Sequence, residues 1–127
     1  MPQILIVSND CARLANMLDA LNTAGHRAAG ATSFEEATRL LTCRPPDVVI
    51  ADERLGAFNG LHVIMRARAE RPSVSAIVTT PARDRGLEAD ARRLNVACVV
   101  KPKKPAEWLA VIAGALGTEP ERAFQQA

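Results

Sequence analysis

The sequence predicts an α/β domain in which five short parallel strands alternate with helices that cover both faces of the sheet. Three observations predict it. Short apolar runs recur along the chain. Between them, apolar residues fall at three- and four-residue spacing, which marks one face of a helix. The runs are apolar nearly throughout and do not alternate, as strands buried on both sides require. At 127 residues the chain is expected to form one domain with a sizeable core.

The first run, Ile4 to Val7, is a strand. Leu14, Met17, Leu18 and Leu21 then share one helix face, and Gly25 ends that helix. Arg27 to Ala31 is a weak second strand. Ser33-Phe34-Glu35-Glu36 is a capping box: the Ser33 hydroxyl can accept from the Glu36 amide while the Glu36 side chain reaches back. The helix it opens runs through Leu41. Pro45-Pro46 breaks the chain before the third strand, Val48 to Ala51, which ends on Asp52.

Gly56 and Asn59-Gly60 mark a loop. Leu61, Ile64, Met65 and Ala69 form the next apolar face. Ala76 to Thr79 is the fourth strand. Arg83 to Leu94 is a poor helix, rich in arginine and interrupted by Gly86, and Ala97 to Val100 is the fifth strand. Pro105 suits a first helical position, and Trp108, Leu109, Ile112 and Leu116 continue the last helix. The domain is expected to span 1–117, with 118–127 a C-terminal tail or the start of a linker. Right-handed crossovers leave few strand orders. The flavodoxin-like order 2-1-3-4-5 is one of two common solutions and is the one expected here, as a (βα)5 three-layer sandwich.

Composition narrows the function. Hydrophobic residues make up 48% of the chain, so it is globular. Aromatics are 3% and Tyr is absent, so Ala, Val, Leu and Ile must build the core. A net charge of +2 exerts no strong pull toward nucleic acid or acidic membranes. Cys11, Cys43 and Cys98 match no metal motif or disulfide framework and read as small hydrophobes in a reducing cytoplasm. No segment reaches the roughly 20 apolar residues of a membrane helix, and a signal peptide is not expected. A cytoplasmic protein follows as the expectation.

Polar residues stand where the strands end: Ser8-Asn9-Asp10 after the first, Asp52-Glu53-Arg54 after the third, Thr79-Thr80 at the fourth and Lys101-Pro102 after the fifth. All four clusters belong at one edge of the sheet, where ligand chemistry collects in such folds. Helix capping explains part of the first cluster, but explains Asp52 and Lys101 poorly.

At these residues the chain resembles the response-regulator receiver domain of two-component signalling, over about Gln3 to Leu116. Pro46-Asp47-Val48-Val49-Ile50-Ala51-Asp52 is similar to the segment leading into the phosphoacceptor aspartate. Asn59-Gly60-Leu61 falls where the family has Asp-Gly before its third helix. Val78-Thr79-Thr80 resembles the strand end that supplies a hydroxyl to the phosphoryl group. Spacing from Asp52 places that hydroxyl at Thr80, while counting back from Lys101 favours Thr79. Lys101-Pro102 matches the family's lysine and cis-bonded proline. The resemblance implies a signalling module, not an enzyme. Asp52 would be the phosphoacceptor, Thr80 and Lys101 would contact the phosphoryl group, and a sensor histidine kinase or phosphotransfer protein would be the donor. It also implies a Mg²⁺ site from Ser8, Asn9, Asp52 and the backbone carbonyl of Arg54.

The chain departs from the family pattern where the metal should bind. The acidic pair falls on Ser8 and Asn9, and neither carries charge. Asp10 is expected to cap the first helix instead. Because affinity follows ligand charge, weak Mg²⁺ binding and slow or absent phosphorylation are expected. Gly56 replaces the usual proline, Cys98 the aromatic switch residue, and Lys103 a large apolar residue. Arg54 or Lys101 is expected to pair with Asp52 in place of metal.

The alternative is a phosphorylation-independent pseudo-receiver that binds proteins. A flavin carrier on the same fold would need a phosphate-cradling loop and aromatic walls, and with one Trp and no Tyr the walls are missing. Trp108, Ile112 and Leu116 share a stripe of the last helix, read first as core packing. The rival reading is the face of helix 4, strand 5 and helix 5 through which receivers dimerise or meet output partners. Arg83, Arg85, Arg92, Arg93, Lys103 and Lys104 would make that face basic. Nucleic-acid binding by this domain is not expected.

Overall fold

The computed structural model describes residues 3–56, 58–101 and 104–115. Strand β1 (Gln3–Val7) leads into helix α1 (Cys11–Thr23), then β2 (Arg27–Ala31), α2 (Phe34–Cys43) and β3 (Val48–Asp52). Two short strands, β4 (Arg54–Leu55) and β5 (Phe58–Asn59), precede α3 (Gly60–Glu70). The chain continues through β6 (Ser75–Thr80), α4 (Arg85–Arg93), β7 (Ala97–Val100) and α5 (Pro105–Ala115). The expected tail at 118–127, Leu116, the cis bond of Pro102 and the side chain of Lys103 lie outside the described residues.

The main sheet has the order β2-β1-β3-β6-β7, with every pair parallel. This is the predicted order 2-1-3-4-5 once the β4–β5 pair is set aside. That pair is an antiparallel ribbon in which Arg54 faces Asn59 and Leu55 faces Phe58. The sequence reading has only a loop there. Gly56 makes the tight reversal possible because it adopts φ +66°, a left-handed conformation that costs glycine little. Phe58 then stacks on Phe34 at 4.3 Å and 13°, tying the ribbon to α2.

The strands bury both faces, and alternate residues sort into two cores. Leu5, Val7, Val49, Ala51, Ala76 and Val78 join α2, α3 and α4 on one side. Ile4, Ile6, Val48, Ile50 and Ile77 join α1 and α5 on the other. Trp108 and Ile112 are 5% and 0% exposed within this second core, so their stripe is packing and not part of an exposed docking face. Arg13 lies over the Trp108 ring at 5.8 Å.

Side chains cap the helices as local chemistry demands. Asp10 accepts from the Arg13 amide at 3.0 Å, which is the expected cap of α1. Ser33 accepts from the Glu36 amide at 3.1 Å. The Glu36 carboxylate reaches back one residue further than a standard capping box, to the Thr32 amide at 2.8 Å. Asp84 caps α4 through the Leu87 amide at 3.0 Å, so that helix begins at Arg85, not Arg83.

Candidate functional site

Strand register sets the site. Val7 pairs with Ala51, Asp52 with Thr79, and Thr80 with Val100. The carboxyl ends of β1, β3, β6 and β7 therefore finish at one edge, with Ser8 and Lys101 one residue beyond their strands. Alternation sets the direction. Ser8 continues the Ile4–Ile6 series, Asp52 the Val48–Ile50 series, and Thr79 follows Ile77. All three emerge on the α1–α5 side of the sheet.

There they meet. The Ser8 hydroxyl donates to Asp52 Oδ2 at 2.6 Å. The Thr79 hydroxyl donates to Asp52 Oδ1 at 2.8 Å. Lys101 Nζ lies 3.3 Å from Asp52 Oδ2. Asp52 is 7% exposed, Ser8 1% and Thr79 0%, so these contacts are shielded from water. A buried carboxylate requires such partners, because burial without them is costly. The Asp10 amide in turn donates to Ser8 Oγ at 3.2 Å.

Thr80, the hydroxyl expected at the phosphoryl group, does not contact Asp52 in this structure. Thr80 has the opposite parity, following Ala76 and Val78 toward the α2–α3–α4 side. Its hydroxyl lies 2.7 Å from the Ala82 carbonyl and 3.3 Å from Glu53 Oε2. Thr79 takes the place beside Asp52. The ion-pair expectation is met by Lys101 and not by Arg54. The chain bends at Glu53, whose amide donates to the Thr79 carbonyl at 2.8 Å. Extended geometry is lost there, and Arg54 ends up exposed on β4. Asn9 is also exposed.

Gly60 opens α3 directly under the end of β3. A Cβ there would stand 3.1 Å from the Ala51 carbonyl oxygen and press on the Asp52 carbonyl. Glycine is therefore needed for close backbone approach. The Gly60 amide donates to the Glu53 carbonyl at 2.9 Å, which closes the loop after Asp52. Cys98 sits on the α4 side of β7, half-buried. Burial raises its thiol pKa above the ordinary 9.0, and the nearby carboxylates of Glu88, Asp84 and Glu53 raise it further. Among the described residues, no group of three or more His, Cys, Asp or Glu side chains is placed to hold a metal ion.

Comparison with known proteins agrees with this architecture. The family model of the response regulator receiver domain matches residues 4–113. AlgB of Pseudomonas aeruginosa, an alginate biosynthesis transcriptional regulatory protein, is 31% identical over 104 residues, 81% of this chain and 23% of its own. The transcriptional regulatory protein AfsQ1 of Streptomyces coelicolor is 34% identical over 68 residues, 54% of this chain and 30% of its own. The matched stretch is thus under a third of either relative. Among solved structures, a CheY-like receiver domain from Methanospirillum hungatei superposes with a TM-score of 0.85 at 21% identity, covering 93% of this chain and 95% of that one. The HemR receiver domain from Leptospira biflexa gives 0.82 at 22%, covering 94% and 98%. The parallel order, the carboxylate ending β3 and the match over residues 4–113 converge: this chain belongs to the response regulator receiver domain family of two-component signalling.

Proposed function

We propose that this domain is an atypical receiver in which Asp52 holds the phosphoacceptor position but accepts a phosphoryl group slowly or not at all. The observation that carries this is the composition of the site. One carboxylate is present, and neutral Ser8 and Asn9 stand where the resemblance requires two acids. For Asp52 to attack phosphorus, a carboxylate oxygen must face the donor while the phosphoryl charge is neutralised. Lys101 offers one positive charge, and Ser8 and Thr79 offer hydroxyl donors. These groups already hold both Asp52 oxygens.

The residues do not fit a tight Mg²⁺ site. Mg²⁺ takes hard oxygen ligands in near-octahedral geometry, and affinity follows the number of charged ones. Of the expected set only Asp52 bears charge, and the Asn9 side chain is exposed. A phosphorylation-independent binding module is the limiting case of the same reading, favoured by the hydroxyl and ammonium partners of Asp52.

Under this reading the upstream partner is a sensor histidine kinase or phosphotransfer protein in the cytoplasm, and the downstream one an output protein or domain. The face of α4, β7 and α5 is the proposed contact or homodimer surface. Val100 is 49% exposed on it, and Arg85 and Arg92 are exposed on α4. Arg83 pairs with Glu88 and Arg93 with Asp90, which moderates the basic character. Incubation with acetyl phosphate and Mg²⁺, followed by intact mass, tests the proposal. Little or no gain of a phosphoryl group supports it. Rapid stoichiometric labelling that Asp52→Asn abolishes overturns it.

A further inference from the structure

We infer that Ser8 is a positioning residue that closes the Asp52 carboxylate to divalent cations, acting with Lys101 as an internal replacement for one. The inference rests on Asp52 being the acceptor position and names how that position is regulated. Both groups converge on the same atom: Ser8 Oγ at 2.6 Å and Lys101 Nζ at 3.3 Å from Asp52 Oδ2. Thr79 takes Oδ1 at 2.8 Å.

The Ser8 proton is directed. Its oxygen accepts from the Asp10 amide at 3.2 Å, so the hydroxyl hydrogen points away from that amide and onto Asp52. The Ser8 backbone is fixed as well, since its amide donates to the Ala31 carbonyl at 3.0 Å. The result is a relay from the Asp10 amide through Ser8 Oγ to Asp52. Hydrogen bonds in such a chain polarise and strengthen one another, and a bond to an ionised acceptor is stronger than a neutral one. A cation approaching Oδ2 must displace a fixed hydroxyl and meet the Lys101 charge. At this position an acid attracts a divalent ion, whereas a serine supplies the donor that makes the ion unnecessary.

Four proteins decide the matter: the wild type, Ser8→Ala, Ser8→Cys and Ser8→Thr. Each is titrated with Mg²⁺, following the NMR shifts of the amides around Asp52. Ser8→Ala is expected to tighten Mg²⁺ binding about tenfold, the size of one lost hydrogen bond to a charged group. Ser8→Cys preserves the shape with a weak donor and is expected to move the same way, which keeps the test decisive if the alanine variant does not fold. Ser8→Thr keeps the hydroxyl and is expected to return the wild-type affinity. If the alanine or cysteine variant binds Mg²⁺ no better than a weakly binding wild type, the role of Ser8 is overturned while the atypical-receiver reading stands. If the wild type itself binds Mg²⁺ tightly through Asp52, both fail.

Discussion

The Ser8 hydroxyl donates to Asp52 Oδ2 at 2.6 Å across 44 residues of sequence. That contact joins the loop after β1 to the end of β3, and Lys101 adds the end of β7 through the same oxygen. Thr79 adds β6 through the other. One carboxylate thus ties together four of the five parallel strands of the main sheet. Removing it would leave a half-buried ammonium and the buried Ser8 hydroxyl without their acceptor, and Thr79 with only the Ala51 carbonyl at 3.4 Å. Asp52→Ala is therefore expected to destabilise the domain by about 2–4 kcal/mol, read from urea unfolding. A stabilised Asp52→Ala variant would mean that the carboxylate is strained and not satisfied.

Thr79 and Thr80 should separate cleanly. Thr79→Val removes the donor to Oδ1 and is expected to cost about 1 kcal/mol. The carbon-13 resonance of the Asp52 carboxylate should shift with it. Thr80→Val loses the bond to the Ala82 carbonyl at similar cost, but should leave that resonance in place. Equal shifts in both variants would contradict the assignment of Thr79.

Most of the fold is legible in the sequence because the strands are nearly pure apolar runs and the breaks are glycines, prolines and caps. The β4–β5 ribbon is not, because two residues per strand give no periodicity to detect. Among the site residues, the choice between Thr79 and Thr80 turns on parity. Counting by twos from Ile77 places Thr79 on the face of Ile50 and Asp52, a signal present in the sequence that spacing from Asp52 alone does not use. Arg54 misleads for the same reason in reverse: alternation carries past Asp52 only if the strand continues, and the chain bends at Glu53. Parity from Ile4 and Ile6 puts Ser8 on the same face, but parity alone does not say that Ser8 is buried at 1% while Asn9 is exposed. The register of β1 against β3 decides it.

Gly60 offers a test of the loop that follows Asp52. An added Cβ would meet backbone, 3.0 Å from the Asp52 carbonyl carbon and 3.1 Å from the Ala51 oxygen, and backbone cannot rotate away. Gly60→Ala is expected to cost about 3 kcal/mol, measured by thermal melting. A loss well under 1 kcal/mol would show that α3 can slide off the end of β3.

Cys98 predicts a pH dependence. Its folded pKa is raised by burial and then by Glu88, Asp84 and Glu53. The folded state therefore holds the thiol proton more tightly than the unfolded chain does. This contribution is fully present below the unfolded value near 9.0 and is lost as pH rises through the folded value. Stability should fall on the alkaline side, and Cys98→Ala should flatten that slope. An identical slope in the variant would exclude Cys98 as its source. Maleimide should also label the exposed Cys11 and Cys43 before Cys98.

The most direct test is a calorimetric titration of Mg²⁺ into the wild-type domain and into Asp52→Asn. The expected result is no Asp52-dependent heat at millimolar Mg²⁺, because Ser8, Thr79 and Lys101 already satisfy the carboxylate. Tight binding in the wild type that disappears in Asp52→Asn would contradict the self-neutralised site.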